Sequence, residues 1–196
     1  EIAKGALICF IDDDIFVQRD HVANWIRAWR AGIWDLAGGR VCPYGQTILP
    51  SWVRLLPKQA LNGPLGLHDR GENDFLLGTK DDRMPITSNI AIRRHVFEKI
   101  GLFDTTLGSI GHNLGRGEDT EFCQRASNAG MRIGYLGSCS VMHFVPMWRL
   151  TRGYFLKWKY TASITGSHEI LSPSTVFWFG VPRYTWRELL ETTLNL

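Results

Sequence analysis

Short, wholly apolar runs alternate along this chain with segments whose apolar residues recur at helical spacing. Residues 6–11 are uniformly apolar and stop at three consecutive aspartates, Asp12, Asp13 and Asp14. A strand covered by helices on both faces reads this way, so a central strand of an α/β sheet is predicted there. Val22, Trp25, Ile26 and Trp29 then recur at helical spacing. Asp20 as N-cap and Gly32 as stop bound that helix to 21–31. Residues 35–41 return to a strand pattern around Gly38-Gly39, and a Pro- and Gly-punctuated stretch follows over 43–85, with one short helix near 52–56. Irregular connections of that length usually carry function.

The second half repeats the alternation. A strand is predicted over 86–92, a short helix over 94–100 closed by Gly101, a Gly-rich loop over 107–117, and a helix over 118–129. In that helix Phe122, Ala126 and Ala129 share one face and Gly130 is the stop. Two short strands are predicted over 132–136 and 140–144. Leu150, Tyr154, Trp158 and Ala162 form one stripe of a last helix ending at Gly166, with Arg152 and Lys159 opposite. Alternating strands and helices without an internal repeat predict an α/β fold.

With 196 residues, 44% hydrophobic and 21% charged, the chain has material for a real core. Its longest apolar runs, 6–11 and 176–179, fall far short of the roughly 20 residues of a membrane-spanning helix. The cysteines at 9, 42, 123 and 139 show no C-x-x-C spacing and predict buried thiols in a reducing compartment, which points to a cytoplasmic protein. The net charge of +3 is uneven: residues 1–145 carry 16 basic and 16 acidic side chains, residues 146–196 carry 6 and 3. That excess is too weak for a nucleic-acid footprint, but it suits an anionic ligand or a lipid surface. Residues 177–184, where aromatics mix with Arg183, read either as an interfacial segment at the inner face of a membrane or as a surface packed against a missing part of the protein. The chain opens without Met and ends in helix-forming sequence over 187–196, as expected of a piece of a longer protein.

Four groups of residues can do chemistry. Adjacent carboxylates at a strand end repel one another unless a cation or donors neutralise them, and Asp12 and Asp14, two residues apart in extended chain, can face one hard cation. The bland alternative is a solvated acidic turn. Glu118 and Asp119 open a helix after a flexible loop; acids there complement the helix dipole, which would keep a general base ionised but weak. His143, at the end of an apolar strand, is either a structural hydrogen-bonder or a further metal ligand. Beyond it, Arg149 and Arg152 are either solvated helix charges or donors to an anion.

Read in order, the apolar strand into Asp12-Asp13-Asp14, then Ser88-Asn89-Ile90-Ala91-Ile92-Arg93-Arg94, Ile100-Gly101-Leu102-Phe103-Asp104, Gly117-Glu118-Asp119-Thr120-Glu121-Phe122 and Val141-Met142-His143 resemble the second half of a family 2 glycosyltransferase. The resemblance spans about residues 5–166. It implies a GT-A-like mixed sheet flanked by helices, with a catalytic core over 1–166, a helical extension over 167–196, and an upstream nucleotide-gripping half absent from this chain.

The resemblance also implies roles. Asp14 matches the direct ligand of Mn²⁺ or Mg²⁺, Asp12 and Asp13 lie by the donor, and His143 matches a third metal ligand. Asp119 matches the catalytic base, with Glu118 near the acceptor. Asn89, Arg93, Asp104 and Trp148 fall on the acceptor side, and Arg149 and Arg152 on the donor diphosphate. The implied reaction moves a sugar from a nucleotide-sugar to a glycan or lipid-linked acceptor hydroxyl with inversion. The Q-x-x-R-W signature of processive synthases is missing, so a single addition is expected. A non-catalytic sugar-nucleotide or glycan-binding module is the alternative, followed by a haloacid dehalogenase-type phosphotransferase.

Overall fold

The computed structural model describes residues 3–45, 47–56, 58–78, 83–108, 117–170, 177–178, 181–183 and 190. In chain order the elements are β1 (Leu7–Ile11), β2 (Ile15–Val17), α1 (His21–Ala31), β3 (Leu36–Pro43), α2 (Ser51–Leu55), α3 (Lys58–Leu65) and β4 (Phe75–Leu76). They continue as β5 (Asn89–Arg93), α4 (Arg94–Ile100), α5 (Glu118–Asn128), β6 (Ile133–His143), a 3₁₀ turn (Met147–Leu150), α6 (Arg152–Ile170), β7 (Phe177–Trp178) and β8 (Val181–Pro182). The chain forms two compact units: residues 1–47, 66–104 and 118–144 make the first, and 48–65, 105–117 and 145–196 the second.

The first unit is a six-stranded mixed sheet in the order β1-β5-β3-β6-β2, with β4 on β6. It is the α/β, GT-A-like architecture expected from the sequence. Leu36, Ile90, Ile92 and Ile133 face Val96 of α4 and Phe122, Cys123 and Ala126 of α5, and Phe10 packs against this layer. The other face of the sheet offers Ala37, Ala91, Leu136 and Cys139 to Trp25 and Trp34. Alternation along β5, Ile90 and Ile92 one way and Ala91 the other, follows from the two-residue period of a strand. β1 is not central as predicted: it stands at one end of the strand order, pairing only β5 among the described residues, and Cys9 and Ile11 are exposed on it. Of the cysteines predicted to be buried, Cys123 and Cys139 are, whereas Cys42 is partly open.

The link between β1 and β2 sets the shape of this sheet. The two strands lie at opposite ends of the order, four strand spacings of about 4.8 Å apart, or ~19 Å if the sheet were flat. Four chain steps from Ile11 to Ile15 reach at most ~14 Å. The sheet must therefore bend, and it does so where β3 and β6 lose register between Gly39 and Val41: Gly39 faces Leu136 and Val41 faces Val141, two steps against five. β3 and β6 thus continue into a second, smaller strip, where β2 pairs Ile15 with His143. The two strands predicted over 132–136 and 140–144 are this single bent strand.

Asn89 braces the bend. Its side chain is 0% exposed, and Nδ2 donates to the carbonyls of Cys139 (2.8 Å) and Arg40 (3.3 Å). Any Cβ at Gly39 would run into that amide and the Cys139 carbonyl. Arg40 also grips Asp69 through Nε (2.7 Å), while His68 and Val41 exchange backbone hydrogen bonds of 3.0 Å, fastening the long connection to β3.

Helix ends follow local chemistry. Gly32 (φ 70°) closes α1, Gly101 (φ 82°) α4, and Gly130 (φ 77°) follows α5. Asp20 occupies the N-cap position of α1 without a side-chain cap bond.

In the second unit, α3 carries Gly63 and Pro64 in its interior, which hides it from a propensity reading. Gly63 is required by packing, since a Cβ there would meet the Trp158 ring. Trp52 packs edge-on against Phe155 at 5.1 Å. α6 continues past Gly166 to Ile170, and β7 pairs with β8. Most of the helix expected over 187–196 lies outside the described residues.

Gly39→Ala should destabilise the chain by about 1–3 kcal/mol, because the obstructing atoms are a carbonyl and a buried amide that cannot yield. Thermal unfolding followed by circular dichroism measures this, and Gly45→Ala, with open space around it, is the control.

Candidate active site

At the carboxyl end of β1 the aspartate triplet turns the chain towards β2. Asp12 and Asp13 are exposed, while Asp14 is half-buried. Asp14 is held by the β2–β6 pairing: its carbonyl accepts from the Phe144 N–H (3.1 Å), and Oδ2 faces His143 Nε2 at 3.2 Å. His143 is 3% exposed. Asp14 Oδ1 and His143 Nδ1 are buried with no hydrogen-bond partner among the described residues. Buried polar atoms are rarely left so without a ligand or water to take them up.

The second acidic motif arrives at the same end of the sheet by another route. Residues 87–88 form the turn that enters β5, and the Ser88 carbonyl accepts from the Asp12 N–H (3.4 Å). One residue earlier, the Thr87 N–H serves the carboxylate of Asp119 in the first turn of α5. Asp119 Oδ1 also accepts from the Thr120 N–H (2.7 Å) and lies 3.4 Å from Thr120 Oγ1. Two motifs more than a hundred residues apart therefore meet on adjacent residues of one turn. Ser88 Oγ, at that junction, is a further buried atom without a partner among the described residues.

Electrostatics here depart from the helix-dipole expectation. Burial pushes the Asp119 carboxyl up, the neighbouring Glu118 pushes it further, and the bonds from Thr120 and Thr87 hold it back, leaving it at about 6. Desolvation outweighs the helix N-terminus, so the group is a stronger base than an ordinary aspartate and still ionised at neutral pH.

The Asp14 carboxylate and the His143 imidazole, 3.2 Å apart through Oδ2 and Nε2, are donor types that Mn²⁺ or Mg²⁺ accepts. Among the described residues no three His, Cys, Asp or Glu side chains gather closely enough to hold an ion by themselves. Asp14 and His143 fit; Asp12 does not complete a third protein ligand.

Other residues singled out from the sequence take up structural positions. Arg93 pairs with Leu7, four residues up β1 from Ile11, so it lies about 14 Å from the aspartate end. Its guanidinium donates to the carbonyls of Trp34 and Trp29, both at 2.7 Å, and stacks over the Trp34 ring. Asn89 braces the sheet bend and presents no exposed surface. Asp104 lies in the field of Arg125, which grips Glu121 and the carbonyls of Ile100 and Leu102. Trp148, Arg149 and Arg152 belong to the second unit. Thr87 and Thr120 were not foreseen; only their place beside Ser88 and Asp119 could have drawn notice.

No family model matches the chain. It is similar to the glucosyl-dolichyl phosphate glucuronosyltransferase of Haloferax volcanii, with 24% identity over 147 residues. The match takes in 73% of this chain and 44% of that protein, so the chain spans less than half the length of its relative. The likeness is to a glycosyltransferase, in line with the mixed α/β fold.

Because the raised carboxyl favours protonation in the fold, its ionisation costs stability as pH rises from the unfolded value near 3.8 through about 6. Asp119→Asn removes that cost while keeping one acceptor oxygen. The variant should melt a few degrees above the parent at pH 7.5, with the gap closing at pH 4. Calorimetric scans at the two pH values measure it.

Proposed function

We propose that this chain is the metal-binding and acceptor-activating part of an inverting glycosyltransferase of family 2 type, acting on a nucleotide-sugar donor and a lipid-linked or glycan hydroxyl. The observation that carries the reading is the meeting of Asp119 and the strand end bearing the aspartate triplet on Thr87 and Ser88. The similarity to a transferase whose name specifies a dolichyl phosphate-linked sugar supports a lipid-linked acceptor.

Asp14 and His143 would hold Mn²⁺ or Mg²⁺, and the cation would supply charge neutralisation for a departing diphosphate. Asp119 takes the proton from the acceptor hydroxyl as that oxygen attacks the anomeric carbon opposite the leaving group. A carboxyl near 6 is deprotonated at working pH and still basic enough to help. Thr87 and Thr120 fix its orientation so that it need not reorganise during transfer. Glu118, beside it, raises its basicity and stands on the acceptor side.

Titration calorimetry with UDP and GDP, with and without Mn²⁺, followed by a transfer assay on the full open reading frame, tests this. Asp119→Asn should lower transfer by at least a thousandfold and leave nucleotide affinity within about twofold. Asp14→Asn and excess chelator should remove both. Nucleotide binding without any transfer would favour the non-catalytic binding module, and undiminished turnover in chelator would overturn the metal assignment.

A further inference from the structure

The glycine pair of β3 serves both faces of the sheet. Gly39 admits the Asn89 amide on one side. Leu36 belongs to the layer of Phe122 and Cys123, and two residues on, by the period of a strand, Gly38 faces that same layer. A Cβ at Gly38 would stand 2.6 Å from Pro85 Cβ and 3.1 Å from Pro85 Cα, so Pro85 fills the place of the missing side chain. Met84 and Pro85 are buried, and Met84 packs in the cluster that holds Ile90, Phe122 and Cys123. The last residues of the long connection are thus seated on β3 before the chain enters β5.

From the other side α5 holds the same segment. Cys123 is fully buried, and its Sγ donates to the Pro85 carbonyl at 3.9 Å. Burial, and after it the charge of Asp119, push the Cys123 thiol well above its ordinary value, so it stays protonated and able to donate. Cys123 follows Asp119 by four residues, on the same face of α5. The Ile86 carbonyl accepts from the Asn89 N–H (3.3 Å) and closes the turn into β5. Between these two anchors lies Thr87, whose N–H bonds the Asp119 carboxylate. That carboxylate therefore has one donor from its own helix, the Thr120 N–H at 2.7 Å, and one that tertiary structure must bring to it.

We propose that Gly38 and Cys123 are positioning residues for Asp119: they pin Pro85 from two sides and so bring the Thr87 N–H onto the carboxylate. Neither touches a substrate; both act through Pro85 and Thr87. The proposal rests on the reading of Asp119 as the base, but the positioning itself is measured without the reaction. The groups that face Asp119 are Glu118 and Thr120 on its own helix, Thr87 from the turn, and the protonated Cys123 thiol. A donor on a carboxylate favours its charged form, so a turn that slackens and withdraws the Thr87 N–H makes Asp119 harder to ionise. It also frees the carboxylate to rotate, which a base aimed at one acceptor hydroxyl cannot tolerate.

An NMR titration of the 196-residue chain in excess EDTA tests the proposal, with aspartate carboxyls labelled with ¹³C and the Asp119 signal assigned by its loss in Asp119→Asn. The parent should titrate at about 6, and the Thr87 and Thr120 amides should follow with the same midpoint. Cys123→Ala should raise the midpoint by about 0.5 pH or more and uncouple the Thr87 amide from it. Cys123→Ser, which keeps a donor towards the Pro85 carbonyl, should restore most of the difference. Gly38→Ala should act like Cys123→Ala, whereas Gly45→Ala, in open space, should titrate like the parent. Should Gly38→Ala fail to fold, the cysteine pair decides. In a transfer assay on the full open reading frame, the acid limb of kcat/KM should move with the midpoint. An unchanged midpoint in folded Cys123→Ala, or a Ser variant no nearer the parent than the Ala variant, would overturn the proposal. Undiminished transfer by Asp119→Asn would instead overturn the base assignment, so the two failures are distinguishable.

Discussion

The whole first unit depends on four chain steps. Ile11 ends one margin of the strand order and Ile15 begins the other, and only a sheet folded on itself lets so short a link join them. The fold is made where Gly39 admits the Asn89 amide and the Cys139 carbonyl against the backbone of β3. The aspartates occupy that short link, so the device that bends the sheet also places acidic side chains over its strand ends. Asp14 reaches His143 because β2 returns to pair with β6, and Asp12 reaches Ser88 because β1 pairs with β5.

Chemistry then follows from position. A carboxylate at a helix start is ordinarily stabilised in its charged form, yet burial of Asp119 wins over the dipole and makes it a base suited to neutral pH. At the end of the aspartate triplet, an aspartate and a histidine keep one buried atom each without a partner among the described residues. Tertiary structure divides acidic residues of similar sequence context into different tasks. Asp14 lies against an imidazole, Asp119 against two amides, Glu121 in the grip of Arg125, and Asp104 in the field of that same arginine.

Much of this was legible beforehand. The helices over 21–31 and 94–100 have the bounds predicted because Gly32 and Gly101 end them locally, at positive φ. The mixed sheet could be anticipated because its strands are short apolar runs. What escaped is non-local. A bulge turned two predicted strands into one, and α3 holds its helix despite Gly63 and Pro64 because Trp158 fills the space that a side chain would take. Arg93 and Asn89 read as ligand contacts in sequence order, but register places one about 14 Å up the strand and seals the other in the bend. The acidity of Asp119 depends on burial, which a helix-start pattern does not encode.

The proposal's central claim is that Asp14 and His143 hold one divalent ion close to Asp119. Titrating Mn²⁺ into the ¹⁵N-labelled chain and following amide line broadening tests it most directly. The account predicts the strongest broadening at His143, Phe144, Thr87 and Thr120, fading along β5 towards Arg93. Broadening centred instead on Asp69 and Glu72, or loss at Phe144 with Thr87 and Thr120 unaffected, would contradict it.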